Sequence, residues 1–326
     1  MIVGNLAIAL NLMSVAVLAF IICIVFISAI AKLFIPKLNN TTFTVRKFSL
    51  WLLITAPWWV ATLCIALFWP RQSNGVYLSW FEELAHWHHI DIFNFFSWHA
   101  ITLMLASLFV VGVCISVIYR KRKQSASLSN LLDFAQDKKI QGLDNSDYLT
   151  LSVPTPIAFT TGLLSPKIYI STGLQEQVSE QELAIILKHE AAHVEARDPL
   201  FKVLFSVFAG FFPSSIKLQL LDKYTLLTEQ LADSKVASKY DNLDVAQTLI
   251  NVARMQRNIS NHHVGTSISH FGYDQTNTRI QSLIKPITST PRTLLLTAAV
   301  LTIVMPLLTA STVDSFHHFI ETIFTH

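Results

Sequence analysis

Four stretches of the chain are long, apolar and free of charged side chains: residues 1–31, 48–70, 92–119 and 293–313. About 20 apolar residues cross the ~30 Å hydrocarbon core of a bilayer, so each stretch predicts a transmembrane helix. Pro57 lies inside the second, which a membrane helix tolerates. His99 is the only ionisable imidazole within a span. A fifth apolar run, Leu200 to Pro213, is short and broken by Lys202, and reads as an interfacial or core helix. The first run lacks a basic lead and a closing small-x-small site, so it reads as a retained span and not as a cleaved leader.

The bases between the spans orient them. Segment 31–48 carries Lys32, Lys37, Arg46 and Lys47 and no acid, whereas 71–91 sets Arg71 against Glu82, Glu83 and Asp91. Arg120-Lys121-Arg122-Lys123 follows the third span, and no Lys or Arg follows the fourth. The positive-inside rule then places the N-terminus outside, 31–48 inside, 71–91 outside, 120–292 inside and the tail outside. The expected organisation is a three-span membrane region at 1–119, a cytoplasmic domain at 120–292, and a fourth span with a short external tail at 293–326. A segment as long as 120–292 can bury its own core. The polar stretch 124–150 reads as a connection into it.

Composition narrows the classes. Hydrophobic residues make up 52% and charged ones 14%, against about 25% charged in a soluble domain. That excludes a disordered chain and argues for a lipid solvent. A net charge of +3 does not suggest nucleic acid as a direct partner. Cys23, Cys64 and Cys114, odd in number and each inside an apolar run, make no disulfide framework.

Candidate chemistry sits inside 120–292. Ser179 with Glu182 forms a capping box, Leu183, Ile185, Ile186 and Leu187 supply an apolar body, and Asp198-Pro199 stops the pattern. The predicted helix carries His189-Glu190-Ala191-Ala192-His193, an H-E-x-x-H motif. Imidazoles four residues apart share one face and can both reach one Zn²⁺, with Glu190 beside them to take a proton from a bound water. Two helical histidines can also be ordinary polar residues. A catalytic zinc needs a third protein ligand and an open position. Downstream, Glu229 in Thr228-Glu229-Gln230-Leu231-Ala232-Asp233 fits that role, and Asp233, one turn on, can accept the free N–H of a ligand histidine. A solvated acidic face is the plain alternative for Glu229 taken alone.

With these residues together the chain resembles the membrane zinc peptidases of the BlaR/MecR antirepressor type, relatives of the HtpX and CAAX-processing peptidases. Arg197-Asp198-Pro199 after the H-E-x-x-H motif is part of the likeness. So are Pro156 to Thr160 through Gly162 to Pro166–Ser171, similar to paired strands before the zinc helix, and Arg279-Ile280-x-x-Leu283 after the glutamate helix. The resemblance implies a mainly α membrane protein. It would have four transmembrane helices and a cytoplasmic α+β gluzincin-like zinc protease domain inserted between the third and fourth, in a bacterial inner membrane. It implies His189, His193 and Glu229 as ligands of one catalytic zinc ion, Glu190 as base, Asp233 behind a ligand, and Arg279 as a structural or bracing cation. His270 is an auxiliary candidate. The implied partner is a protein substrate, a transcriptional repressor or another regulator; a quality-control protease of HtpX type and a non-proteolytic zinc scaffold are the alternatives. Antibiotic-sensing members carry a large external penicillin-binding domain after the last span. Here only Val313 to His326 follows, so direct β-lactam binding is not expected.

Two further features are legible. The strand over Ile157, Ala158, Phe159 and Thr160, or its hairpin partner 167–171, is either core sheet or an edge to which an extended substrate can add. His86, His88, His89, His317, His318 and His326, with Asp91 and His99, all fall on the expected outer side. There they are either interfacial residues or a metal or pH input.

Overall fold

The computed structural model describes residues 1–69, 91–132, 135–141, 147–262, 269–287 and 289–324. The molecule is mainly helical. Among the described residues four helices are long and apolar enough to cross a membrane: α1 (Asn5–Phe34), α2 (Phe43–Phe68), α3 (Trp98–Leu132) in its part Trp98–Ser116, and α10 (Arg292–Phe324) in its part Ala298–Ile320. All four expected spans are therefore helices, with displaced ends. The second begins at Phe43, and the segment expected as a short tail continues α10 to Phe324. A two-residue ladder, β1 (Ile2–Val3) with β2 (Ile92–Phe93), ties the N-terminus to the start of the third span.

The stretch 124–150 is not a mere connection. α3 runs through Arg120–Lys123 to Leu132, and two strands follow, β3 (Ala135–Gln141) and β4 (Asp147–Leu151). β4 buries Tyr148, Thr150 and Leu151, an apolar side hidden by the polar composition around it. With β5 (Ala158–Thr161) and β6 (Lys167–Ser171) they make a four-stranded sheet ordered β3-β4-β6-β5. β4 and β6 are parallel, and β5 pairs antiparallel with β6 from Ala158↔Ile170 to Thr161↔Lys167. Of the two candidate edge strands, only β5 lies at an edge; 167–171 is paired on both sides. Ile157 falls just outside β5, its N–H donating to Ser171 Oγ at 3.0 Å.

Short α4 (Thr172–Gln175) leads to α5 (Glu180–Glu195), whose N-terminus has the expected box: Ser179 accepts from the Glu182 N–H, and Glu182 accepts from the Ser179 N–H. Asp198-Pro199 does more than end this helix. Arg197 takes the left-handed conformation at φ 52°, and a second helix, α6 (Asp198–Ala209), leaves at once with Pro199 in its first turn. Pro is preorganised for that position.

α6 and α7 (Ser214–Ala237) form a hairpin wedged among the spans. Trp51 of α2 meets Phe201, Phe205 and Tyr224 edge-on, and Trp58 meets Phe208 and Phe211. Phe211, at the hairpin tip, also contacts Phe20 and Phe109. Phe20 and Trp58 lie midway along α1 and α2, so the tip reaches the middle of the span bundle. The run Leu200 to Pro213 is thus a core element, and one apolar core joins Leu50, Ile54 and Val60 to Phe205, Leu220 and Leu227. α8 (Asn242–His262) and α9 (Ser269–Ile284) close the far side, with Val236, Val245 and Leu283 packed on Ile185.

The β5–β6 turn needs Gly162. Its φ is +115°, and a Cβ there would lie 2.5 Å from Ser165 O. Gly162→Ala is expected to lower stability by about 1–2 kcal/mol through the left-handed backbone alone, read as an earlier midpoint in denaturant titrations of the detergent-solubilised protein.

Candidate metal centre

α5 and α7 cross so that one face of each meets the other. His189 and His193, one turn apart on α5, bring their Nε2 atoms to 3.2 Å. Glu229 of α7 sets Oε2 at 3.3 Å from His189 Nε2 and Oε1 at 3.6 Å from His193 Nε2. Ligand atoms of these three residues lie within 4.8 Å of one another. Each imidazole is held from behind by its other nitrogen. His189 Nδ1 pairs with Asp233 Oδ1 at 3.0 Å, and His193 Nδ1 with Asp198 Oδ2 at 2.6 Å. Asp233 is in turn gripped by Arg279 of α9, Nε to Oδ2 at 2.7 Å and Nη2 to Oδ1 at 2.8 Å. Arg279 Nη1 and Lys202 Nζ of α6 stand at 3.5 and 3.2 Å from the Glu229 carboxylate.

These contacts set the proton affinities. Burial alone would push the His189 imidazole down, but the Asp233 and Glu229 carboxylates outweigh it and hold it up to about 9. His193 is held above its ordinary value in the same way, burial being overcome by Asp198 and Glu229. Burial would raise Glu229, yet the two imidazoles and Arg279 keep it well below the usual carboxylate range. Asp233 is depressed likewise, chiefly by Arg279 and His189 working against its burial.

The donor set fits a small divalent cation. With both Nδ1–H groups committed to carboxylates, both Nε2 lone pairs point into the same space. Lone pairs 3.2 Å apart repel unless a proton or a cation lies between them. Bonds of ~2.0–2.1 Å in tetrahedral array put ligand atoms about 3.3 Å apart, and the three observed separations bracket that spacing.

Glu190 is buried on the same helix. Thr160 of β5 donates its hydroxyl to Glu190 Oε2 at 2.8 Å and reaches the Glu190 main-chain oxygen at 3.1 Å. The edge strand is thereby fastened to the H-E-x-x-H helix. A cavity of about 210 Å³ opens beside the cluster, walled by Ala158, Ile186, Val245, Leu249 and Val252.

The structure thus brings together His189, Glu190, His193, Glu229, Asp233, Arg279 and Thr160 of the residues singled out by sequence. Ala158 lines the cavity, and Phe159 stacks on Tyr169 within the sheet. His270 is in the first turn of α9, and its side chain lies outside the described residues, as do His86, His88, His89 and His326. His99 and His317 meet elsewhere, 5.7 Å apart by ring centres. Two site residues escaped the sequence reading. Asp198 was read as a helix stop and as part of the family likeness, without a role at the site, though it falls five residues after His193. Lys202 counted only as the charge that broke an apolar run.

A bundle of four apolar helices carrying a His-His-Glu centre with a glutamate beside it has the build of a membrane metallopeptidase. A family model described as BlaR1 peptidase M56 matches residues 8–283, and the chain belongs to that family. No solved structure matches it.

Two measurements follow from the geometry. Asp198→Asn and Asp233→Asn, which keep shape but lose the charge behind an imidazole, are each expected to weaken metal binding 10–100-fold in competition with a chromophoric chelator. A cation at His189 Nε2 must displace a proton held there up to about pH 9. Because His193 is raised as well, apparent affinity should climb by at least about tenfold per pH unit from neutrality and flatten above about 9.

Proposed function

We propose that the chain is an integral-membrane zinc endopeptidase that cuts a cytoplasmic or membrane protein in a regulatory step, from a gluzincin-like α+β domain inserted between its third and fourth spans. The observation that carries this reading is the convergence of His189, His193 and Glu229 beside a Glu190 fastened to an open strand edge. Two imidazoles and one carboxylate are the donor set of catalytic zinc, with the fourth position left for water. Zinc held by His189, His193 and Glu229 would supply Lewis acidity, activating water and polarising a carbonyl.

The chain's own groups account for the rest. Asp233 and Asp198 hold the imidazoles in the tautomer that leaves each Nε2 unprotonated. Glu190, with one oxygen on Thr160, takes the proton of the attacking water and passes it to the leaving amine. β5 offers main-chain groups to an extended substrate segment. Thr160 belongs to both, so the base is set by the same strand that aligns the scissile bond. The cavity beside the cluster has an apolar wall, Ile186, Val245, Leu249 and Val252, facing the polar metal-site residues, and that wall favours an apolar side chain next to the cleaved bond. The bases of 31–48 and 120–123 support a cytoplasmic side for the site, membership of the family supports a bacterial inner membrane, and the substrate class is a repressor or another regulatory protein.

Glu190→Gln is expected to keep its metal and lose on the order of 10²–10⁴ in rate. N-terminal peptide mapping of cells expressing either form tests the reading. A few new cytoplasmic cleavage ends, present only with Glu190 and followed by apolar residues, is the expected result. Many ends across membrane proteins would replace regulation by quality control. Equal cleavage by the two forms would overturn the mechanism.

A further inference from the structure

Arg46 carries one of the four bases of the inner loop, yet it does not face a headgroup. It is 4% exposed, in the first turn of α2. Its Nε donates to Leu38 O at 3.1 Å, and Nη2 donates to Asn39 O at 2.7 Å and Thr41 O at 3.2 Å. Its Nη1 donates to Gln230 Oε1 at 2.7 Å. Among the described residues its hydrogen-bond partners are three main-chain carbonyls and one amide, none of them charged. Leu38 and Asn39 belong to the 3-10 turn Pro36–Asn40, and carbonyls at a helical C-terminus carry partial negative charge. This is an expensive way to fill space, since a buried cation without an anion carries a desolvation cost that an apolar side chain avoids.

What the guanidinium gains is reach. Gln230 follows Glu229 on α7 and is 3% exposed. Its Nε2 extends to Thr278 O at 3.5 Å, next to the Arg279 that grips Asp233. α7 is thus held at one residue from both sides, by the membrane loop through Arg46 and by the Arg279 helix through Thr278. Successive helical residues point about 100° apart, so Gln230 faces the loop while Glu229 faces the imidazoles. A helix is stiff in rotation: turning α7 by about 20° would carry a carboxylate ~6 Å from its axis by ~2 Å, enough to open the cluster. The loop is also tied to the start of the fourth span, where the Thr42 N–H donates to Thr290 Oγ1 at 3.2 Å.

We propose that Arg46 is a positioning residue of the metal centre, fixing through Gln230 the rotation of α7 at which Glu229 meets His189 and His193, so that the inner loop between the first two spans sets the metal geometry. The inference rests on the metal-site reading above, and its test separates the two. The full-length protein in lipid nanodiscs is titrated with Co²⁺, recording visible absorption, and Zn²⁺ affinity is measured by chelator competition. His189→Ala tests the site itself: Co²⁺ bound as tightly and with the same spectrum as by the wild type would sink the site reading and this proposal with it. Given a site that needs His189, Arg46→Met, Gln230→Met and the double variant are each expected to weaken Zn²⁺ binding about tenfold and alter the Co²⁺ spectrum. The double should be no worse than the stronger single. Gln230→Glu, which keeps the acceptor for Arg46 but loses the donor to Thr278, should bind Zn²⁺ more tightly than Gln230→Met. Where Arg46→Met does not fold, the Gln230 pair alone decides. A fall in melting temperature with spectrum and affinity unchanged would make Arg46 a fold residue only and overturn the proposal, as would additive losses in the double variant.

Discussion

The structure turns on a balance of buried charge where α5 crosses α7. Glu190, Asp198, Glu229 and Asp233 bring four carboxylates to two imidazoles, with Lys202 and Arg279 as side-chain cations among them. Two negative charges are left over, and uncompensated charge at such burial costs several kcal/mol per ion. Two protonated imidazoles can supply the difference, or one divalent cation can, but not both at once. This is why the same contacts that raise the histidine proton affinities also define a metal site. The ion-pair network is not decoration on a binding site; it makes proton and metal alternatives for the same two nitrogens.

The helices that deliver these residues are held by different parts of the molecule. α5 is seated on the sheet through Ile186, Leu187, Ile168 and Ile170. α7 is seated on the spans through Tyr224 and Leu227 against the Trp51 region. Histidines and glutamate therefore answer to two supports, the sheet and the membrane bundle, with Arg279 bridging α9 to α7. Any displacement of one support against the other is felt at the cluster, because packed interiors pass on shifts and do not absorb them.

Legibility in the sequence followed the strength of each local pattern. The spans, the Ser179 box and the H-E-x-x-H face rest on patterns of a single helix and were readable; Glu229 with Asp233, ambiguous alone, became readable only beside H-E-x-x-H and the family resemblance. Asp198, Lys202 and Arg46 were seen and given other jobs: a helix stop, a break in an apolar run, a topology base. Each of those roles is local, whereas the contacts with His193, Glu229 and Gln230 depend on how separate helices are laid together. The α6–α7 hairpin escaped for a related reason. At twelve residues, with a lysine near its start, α6 is too short to read as a span, and only the packing of Phe208 and Phe211 against Trp58 reveals its depth. β3 and β4 lay hidden because the polar composition of 124–150 masks the buried side of Asp147–Leu151.

The hairpin has a consequence for how such a molecule comes into being. The two histidines leave the ribosome before Glu229, and the helix bearing Glu229 rests part of its apolar face on α2 and α6, through Tyr224 and Leu227, while α10 follows and closes against α1 through Met305 and Cys23. A nascent chain, or one stranded in the aqueous phase, has the motif without the third ligand in place. The third ligand position therefore rides on a helix seated partly on the membrane bundle, so packing of the spans and geometry of the centre are two faces of one arrangement.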